Sequence, residues 1–85
     1  MKKAFTYILL CADNTLYTGW TNDLKSRLIA HNEGRGAKYT RSRLPCKLFY
    51  YEEFEDKISA QKREWEIKQL TRKQKLALVN LRTNL

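Results

Sequence analysis

Leu16 to Arg41 reads LYTGWTNDLKSRLIAHNEGRGAKYTR. A short run rich in apolar, aromatic and β-branched residues, Thr15 to Trp20, follows the turn pair Asp13-Asn14. This pattern predicts the returning arm of a hairpin. The run stops at Thr21-Asn22-Asp23, three residues whose side-chain oxygens can cap a helix. The helix predicted from there extends to about Asn32. Asn32-Glu33-Gly34 closes it, with Gly34 supplying left-handed backbone.

Upstream, Ala4 to Cys11 (AFTYILLC) is rich in β-formers and predicts the first arm of that hairpin. Downstream, Gly34 to Pro45 (GRGAKYTRSRLP) is a basic loop with room for one helical turn. Cys46 to Phe54 (CKLFYYEEF) predicts a third strand. Asp56 or Ser59 opens the next helix, which runs to about Leu70. Thr71 with Gln74 forms a capping-box pattern before a last helix, RKQKLALVNL. The order is ββα(loop)βαα. The economical packing is an α+β (mixed α/β) fold, a three-stranded antiparallel sheet flanked by helices. The 85 residues are one domain's worth, expected to span 1–85.

Seventeen basic residues against nine acidic give a net charge of +8. On so small a surface this makes a broad positive potential, suited to a polyphosphate partner. Small basic proteins without such a partner exist, and charge says nothing of catalysis. Hydrophobic residues at 42% are enough for a folded core. No apolar run is long enough to cross a membrane. Ala4 to Ala12 is too short and interrupted for a signal peptide, so the expected compartment is the cytoplasm. Cys11 and Cys46 are too few and too separated for a zinc site or a redox pair. They are expected to be reduced, buried in strands and apolar in role.

Candidate chemistry starts with Tyr7 and Tyr17, each in the middle of one hairpin arm. Ordinary cross-strand aromatics would look the same. Gly19 is a structural position, a turn, a bulge or a place of close approach. Arg27 and His31 lie four residues apart and share a helix face. His31 could equally do no more than favour the helix dipole. At about 100° per residue, Glu64 lies roughly 40° from Ala60 and 60° from Ile67, on the inward edge of its helix. Glu66 lies roughly 160° away, on the exposed side. An inward carboxylate needs a cationic partner or a metal, and Lys68 at i+4 is an ordinary candidate. Trp20 and Trp65 are expected in the core rather than as base-stacking platforms.

The chain resembles the GIY-YIG endonuclease domain family, most closely its very small stand-alone bacterial members, and is similar to the N-terminal nuclease domain of UvrC. The resemblance runs from Thr6 to about Leu78. The second motif is kept as Tyr17-Thr18-Gly19, whereas the first keeps Tyr7 behind Phe5-Thr6. Arg27 matches the family's helix arginine, His31 a position of His or Tyr, and Glu64 the metal-binding glutamate. Trp20 stands where some members carry a lysine.

The resemblance implies the GIY-YIG fold and hydrolysis of phosphodiester bonds in DNA, ahead of RNA, of a structure-specific, repair or recombination type. It also implies one divalent ion, Mg²⁺ or Mn²⁺, on Glu64. A single carboxylate suffices for an ion that keeps most of its water. Arg27 would contact the scissile phosphate with a planar donor fork. Tyr7 or Tyr17 would orient or deprotonate the attacking water, and His31 would relay the proton or bind phosphate. A tyrosine at its ordinary pKa of about 10 is a poor base, so its surroundings must help. Arg35, Lys38, Arg41 and Arg43 would hold nucleic-acid backbone away from the cut. Substrate choice would come from nucleic-acid shape or from a partner protein. A non-catalytic nucleic-acid binding module on the same fold is the alternative, favoured by Trp20 and the reduced first motif. A protein-interaction domain whose charge serves solubility is a third.

Overall fold

The computed structural model describes residues 3–83, with side chains to Leu81. Met1, Lys2, Asn84 and Leu85, which fall within the expected basic start and 1–85 domain, lie outside the described residues. The elements are β1 (Ala4–Leu10), β2 (Leu16–Thr21), α1 (Leu24–Asn32), α2 (Lys38–Arg41), β3 (Lys47–Phe54), α3 (Lys57–Lys68) and α4 (Arg72–Thr83). This is the expected order, with α2 as the one helical turn in the basic loop. The three strands form an antiparallel sheet in the order β2-β1-β3.

Local chemistry sets the boundaries. The hairpin turns at Asn14, which takes a positive φ of 71°. Asp13 Oδ1 accepts from the backbone N–H and hydroxyl of Thr15, at 3.2 and 2.6 Å. Of the three candidate caps before α1, Asp23 does the work, accepting from Ser26 N at 3.1 Å. At the other end Gly34 has φ +80°. Gly34 N donates to His31 O at 3.0 Å and Arg35 N to Ala30 O at 2.8 Å, the paired bonds of a Schellman closure. Asp56 caps α3 through Ser59 N at 2.7 Å. The capping box before α4 is reciprocal: Thr71 N to Gln74 Oε1 at 2.9 Å, and Gln74 N to Thr71 Oγ1 at 3.2 Å.

Because side chains alternate along a strand, β1 feeds two cores. Tyr7 and Leu9 join Cys11 and Cys46 under Leu24 and Leu28 of α1. Ile8 faces the other way and packs with Tyr50, Ile67 of α3 and Val79 of α4. Thr6 points to this second side and donates to the Ala60 carbonyl at 2.7 Å, tying α3 to the central strand. Helix α1 therefore covers one face of the sheet, and α3 with α4 cover the other. Among the described residues, no helix is long and apolar enough to cross a membrane.

Several expectations need correction. Gly19 is not a turn residue: it lies inside β2 in regular register with Tyr7. The pairing irregularity falls elsewhere, between β1 and β3 at Ile8/Leu9. Both cysteines fall one residue outside a strand. They are buried and free as expected, but they are not far apart, with their sulfurs at 3.5 Å. Burial, then the neighbouring Cys11, pushes the Cys46 thiol up to about 12. Sequence separation says nothing about approach across a sheet, and β1 and β3 are neighbours. Trp65 is 65% exposed, not core. At about 100° per residue it lies roughly 140° from Ala60, on the outer side of α3. Apolar character alone misplaced it.

Candidate nucleic-acid active site

The centre of the site is built on one sheet face. Leu9 pairs with Tyr17 and Tyr7 with Gly19, so the two tyrosines project on the same side. Their ring centroids are 6.5 Å apart. A Cβ on Gly19 would lie 2.6 Å from Tyr7 Oη and 2.8 Å from Tyr7 Cζ. The missing side chain is thus what lets the Tyr7 ring reach over β2, the edge strand. The close approach read from the sequence is to a side chain, not to a ligand or a second backbone.

Helix α1 supplies Arg27 and His31 to this face. His31 is wholly buried, and its Nε2 is 2.9 Å from Tyr7 Oη. Its Nδ1 is 2.8 Å from Thr40 Oγ1 in α2. Tyr17 packs edge-on against the imidazole at 5.3 Å between centroids. A residue serving only the helix dipole would face solvent, so that alternative does not describe His31. Burial, then the positive charge of Arg27, lowers the His31 pKa from its ordinary 6.5. The buried Tyr7 phenol is shifted upward, by desolvation first and by Tyr17 second. The neighbouring Arg27 guanidinium opposes the shift. The Arg27 Nε is buried and has no hydrogen-bond partner among the described residues.

Arg27 also lines an open groove of about 460 Å³ together with Trp20, Asn22, Ser26 and Arg35. Trp20 belongs to the α3 side of β2 by strand alternation, whereas Arg27 belongs to the α1 side. The groove therefore follows the free edge of β2, where the two faces meet. Trp20 is partly exposed there rather than enclosed in either core.

Glu64 stands apart from this cluster. It comes from α3 on the opposite face, between the fully buried Ala60 and Ile67. Its side chain is 20% exposed and pairs with Lys68 at 3.0 Å, the i, i+4 contact available from spacing alone. Its charge nevertheless reaches the Tyr7 phenol and contributes to the upward shift there. Glu66 bonds Arg63 at 3.2 Å.

Arg35, Lys38 and Arg41 are exposed, with Arg35 paired to Glu33. Arg43 differs. Its Nε lies 3.0 Å from Asp13, it donates to the Tyr39 carbonyl at 2.8 Å, and its guanidinium sits 4.1 Å over the Tyr39 ring. Tyr39 in turn stacks on Tyr17 at 5.8 Å. Arg43 thus props the aromatic wall of the site. Thr40, Gly36 and Tyr39 were not singled out in the sequence, because their contacts arise only when the basic loop folds back over α1.

The fold and this cluster define a GIY-YIG domain: the chain belongs to the GIY-YIG family, whose catalytic-domain profile matches residues 3–77. That family is one of nucleases. A UPF0213 protein of Clostridium perfringens is 60% identical over 76 residues, covering 89% of this chain and 82% of the relative. A UPF0213 protein of Streptococcus pyogenes is 58% identical over 79 residues, covering 92% and 86%. Among solved structures, the solution structure of a UPF0213 protein from Bacillus halodurans superposes with a TM-score of 0.61 at 43% identity, covering 93% of this chain and 84% of that one. A protein of E. faecalis, also solved by NMR, gives a TM-score of 0.63 at 36% identity, covering 98% and 90%.

Proposed function

We propose that the chain is a divalent-metal-dependent endonuclease that hydrolyses phosphodiester bonds in DNA. It would recognise structure rather than sequence, as repair and recombination nucleases do, and act in the cytoplasm. The observation that carries this reading is the buried Tyr7 phenol, hydrogen-bonded to His31, with the Arg27 charge close by and Arg27 lining a groove on the sheet edge.

The shifts support a division of roles. Tyr7 is held as a neutral phenol, so it is not a base on its own. His31 is held as a neutral imidazole, so it can accept a proton near neutral pH. Tyr7 can then take a proton from water only while passing its own to His31. Arg27 presents its donor fork to the scissile phosphate and stabilises the charge that develops there. Tyr17, less buried than Tyr7, orients the water. Arg35, Lys38 and Arg41 hold backbone phosphates further out, and DNA shape or a partner protein selects the substrate.

Mg²⁺ or Mn²⁺ would be held by Glu64. Among the described residues, no group of three or more His, Cys, Asp or Glu could hold an ion. One half-buried carboxylate suits a hard cation that keeps most of its waters. The Lys68 ammonium 3.0 Å away holds that position now and would give way to the ion. When bound, the ion supplies charge neutralisation at the phosphate and lowers the pKa of a coordinated water.

The test is cleavage of nicked, branched and single-stranded DNA with Mn²⁺. Glu64→Ala should lose roughly 100-fold or more in rate while still binding DNA. Cleavage unchanged in Glu64→Ala would overturn the role of that residue. Salt-dependent binding without cleavage, the same in both proteins, would leave a binding module. That second reading is favoured by the existing Glu64–Lys68 pair.

A further inference from the structure

The imidazole of His31 is caged. Tyr7, His31 and Thr40 are 2%, 0% and 0% exposed, so solvent water cannot substitute for any of their mutual bonds. Thr40 Oγ1, 2.8 Å from Nδ1, also donates to the Ala37 carbonyl at 3.1 Å. On the remaining side the backbone of Gly36 presses on the ring. A Cβ there would overlap Nδ1 and Cγ and lie 2.7 Å from His31 Cα.

A chain of hydrogen bonds takes its direction from a fixed end. A backbone carbonyl can only accept, and a threonine hydroxyl has one proton to give. The Thr40 O–H goes to the Ala37 carbonyl, so Thr40 Oγ1 accepts from Nδ1–H, and the bare Nε2 of the neutral ring accepts from the Tyr7 O–H. We infer that Thr40 is a positioning residue that, with Gly36 closing the cage, fixes His31 as the Nδ1–H tautomer and so turns a bare Nε2 toward the Tyr7 phenol.

The consequence for catalysis rests on the hydrolytic reading above; the tautomer does not. As the Tyr7 oxygen accepts a proton from the attacking water, the phenol's own proton passes to Nε2. Tyr7 gains one proton and loses one, and the imidazolium keeps its Nδ1–H on Thr40. The opposite tautomer would offer Nε2–H to Tyr7 and could accept nothing from that phenol. Facing the ring are Tyr7 from β1, Tyr17 from β2, Arg27 one turn back on α1 and Thr40 from α2. Of these four Arg27 alone is charged.

His31 is the chain's one histidine, so nitrogen-15 long-range correlation spectra read its tautomer without ambiguity. Wild type and Thr40→Ser should show a protonated Nδ1 and a pyridine-like Nε2. Thr40→Val, which keeps the shape and removes the hydroxyl, should move the proton to Nε2. A wild-type ring protonated on Nε2, or a Thr40→Val spectrum identical to wild type, overturns the assignment. If Thr40→Val does not fold, the wild-type and serine spectra decide. In cleavage assays Thr40→Val should be roughly 100-fold slower and Thr40→Ser near wild type. A changed tautomer with an unchanged rate would remove the positioning role. A wild type that cuts nothing would sink the hydrolytic reading and leave the tautomer result standing.

Discussion

At the scale of single residues, space and protons matter more than identity. Gly19 is fixed by the volume of its cross-strand neighbour. Tyr7 is 2% exposed and has nowhere to move, so an added methyl must push on the phenol or the strand. Gly19→Ala should cost about 1–3 kcal/mol, read as a drop in melting temperature. An unchanged melt would mean that the Tyr7 ring yields freely. His31 makes a second expectation. Its folded pKa lies below the unfolded 6.5, so the folded state binds the proton less tightly. The stabilisation it contributes is complete above 6.5 and is lost as pH falls through the interval below it. Melting temperature should decline as pH falls below 6.5, and His31→Gln should flatten the start of that decline. Asp13 and Asp56, both held below 3.8, titrate well under that starting point. The sequence marked Gly19 and His31 as special. It could not say what touched them, because both neighbours come from other elements.

At the scale of elements, the signals were local and were read well. Asp23, Gly34, Asp56 and the Thr71–Gln74 pair act within three residues of themselves, and each does in the structure what its spacing implies. Asp56 carries functional weight, because it opens the helix that bears Glu64. Asp56→Ala should be less stable than wild type, measured by chemical denaturation. Asp56→Asn or Asp56→Ser should recover most of the loss, since each keeps a capping oxygen. A loss that neither recovers would point to something other than the cap. Trp65 shows where element-scale reading failed by its own standard. The helical angle that puts Glu64 inward also puts Trp65 outward, and in the fold that angle outweighs the apolar character of the side chain.

At the scale of the whole molecule, charge and topology act together. Arg35 and Arg41 lie exposed on the loop that closes over α1, and reversing both halves the net charge of +8. Arg35→Glu with Arg41→Glu should weaken DNA binding alike for all sequences. The double change should also flatten the salt dependence by roughly 0.9 for each phosphate that is no longer neutralised. Fluorescence anisotropy over a salt series checks this, and an effect confined to one sequence would contradict it. Arg43 is excluded from that pair because Asp13 and Tyr39 already engage it. By itself the sequence determined the elements, their order, the caps, the charge and the residue types gathered near Tyr7, since all of these depend on periodicity and short-range bonding. Only the tertiary structure decided that β1 is central, that Cys11 meets Cys46, and that Thr40 and Gly36 enclose His31. Those contacts join residues brought together by sheet pairing and loop closure, and no short-range pattern along the chain encodes which distant segments will meet.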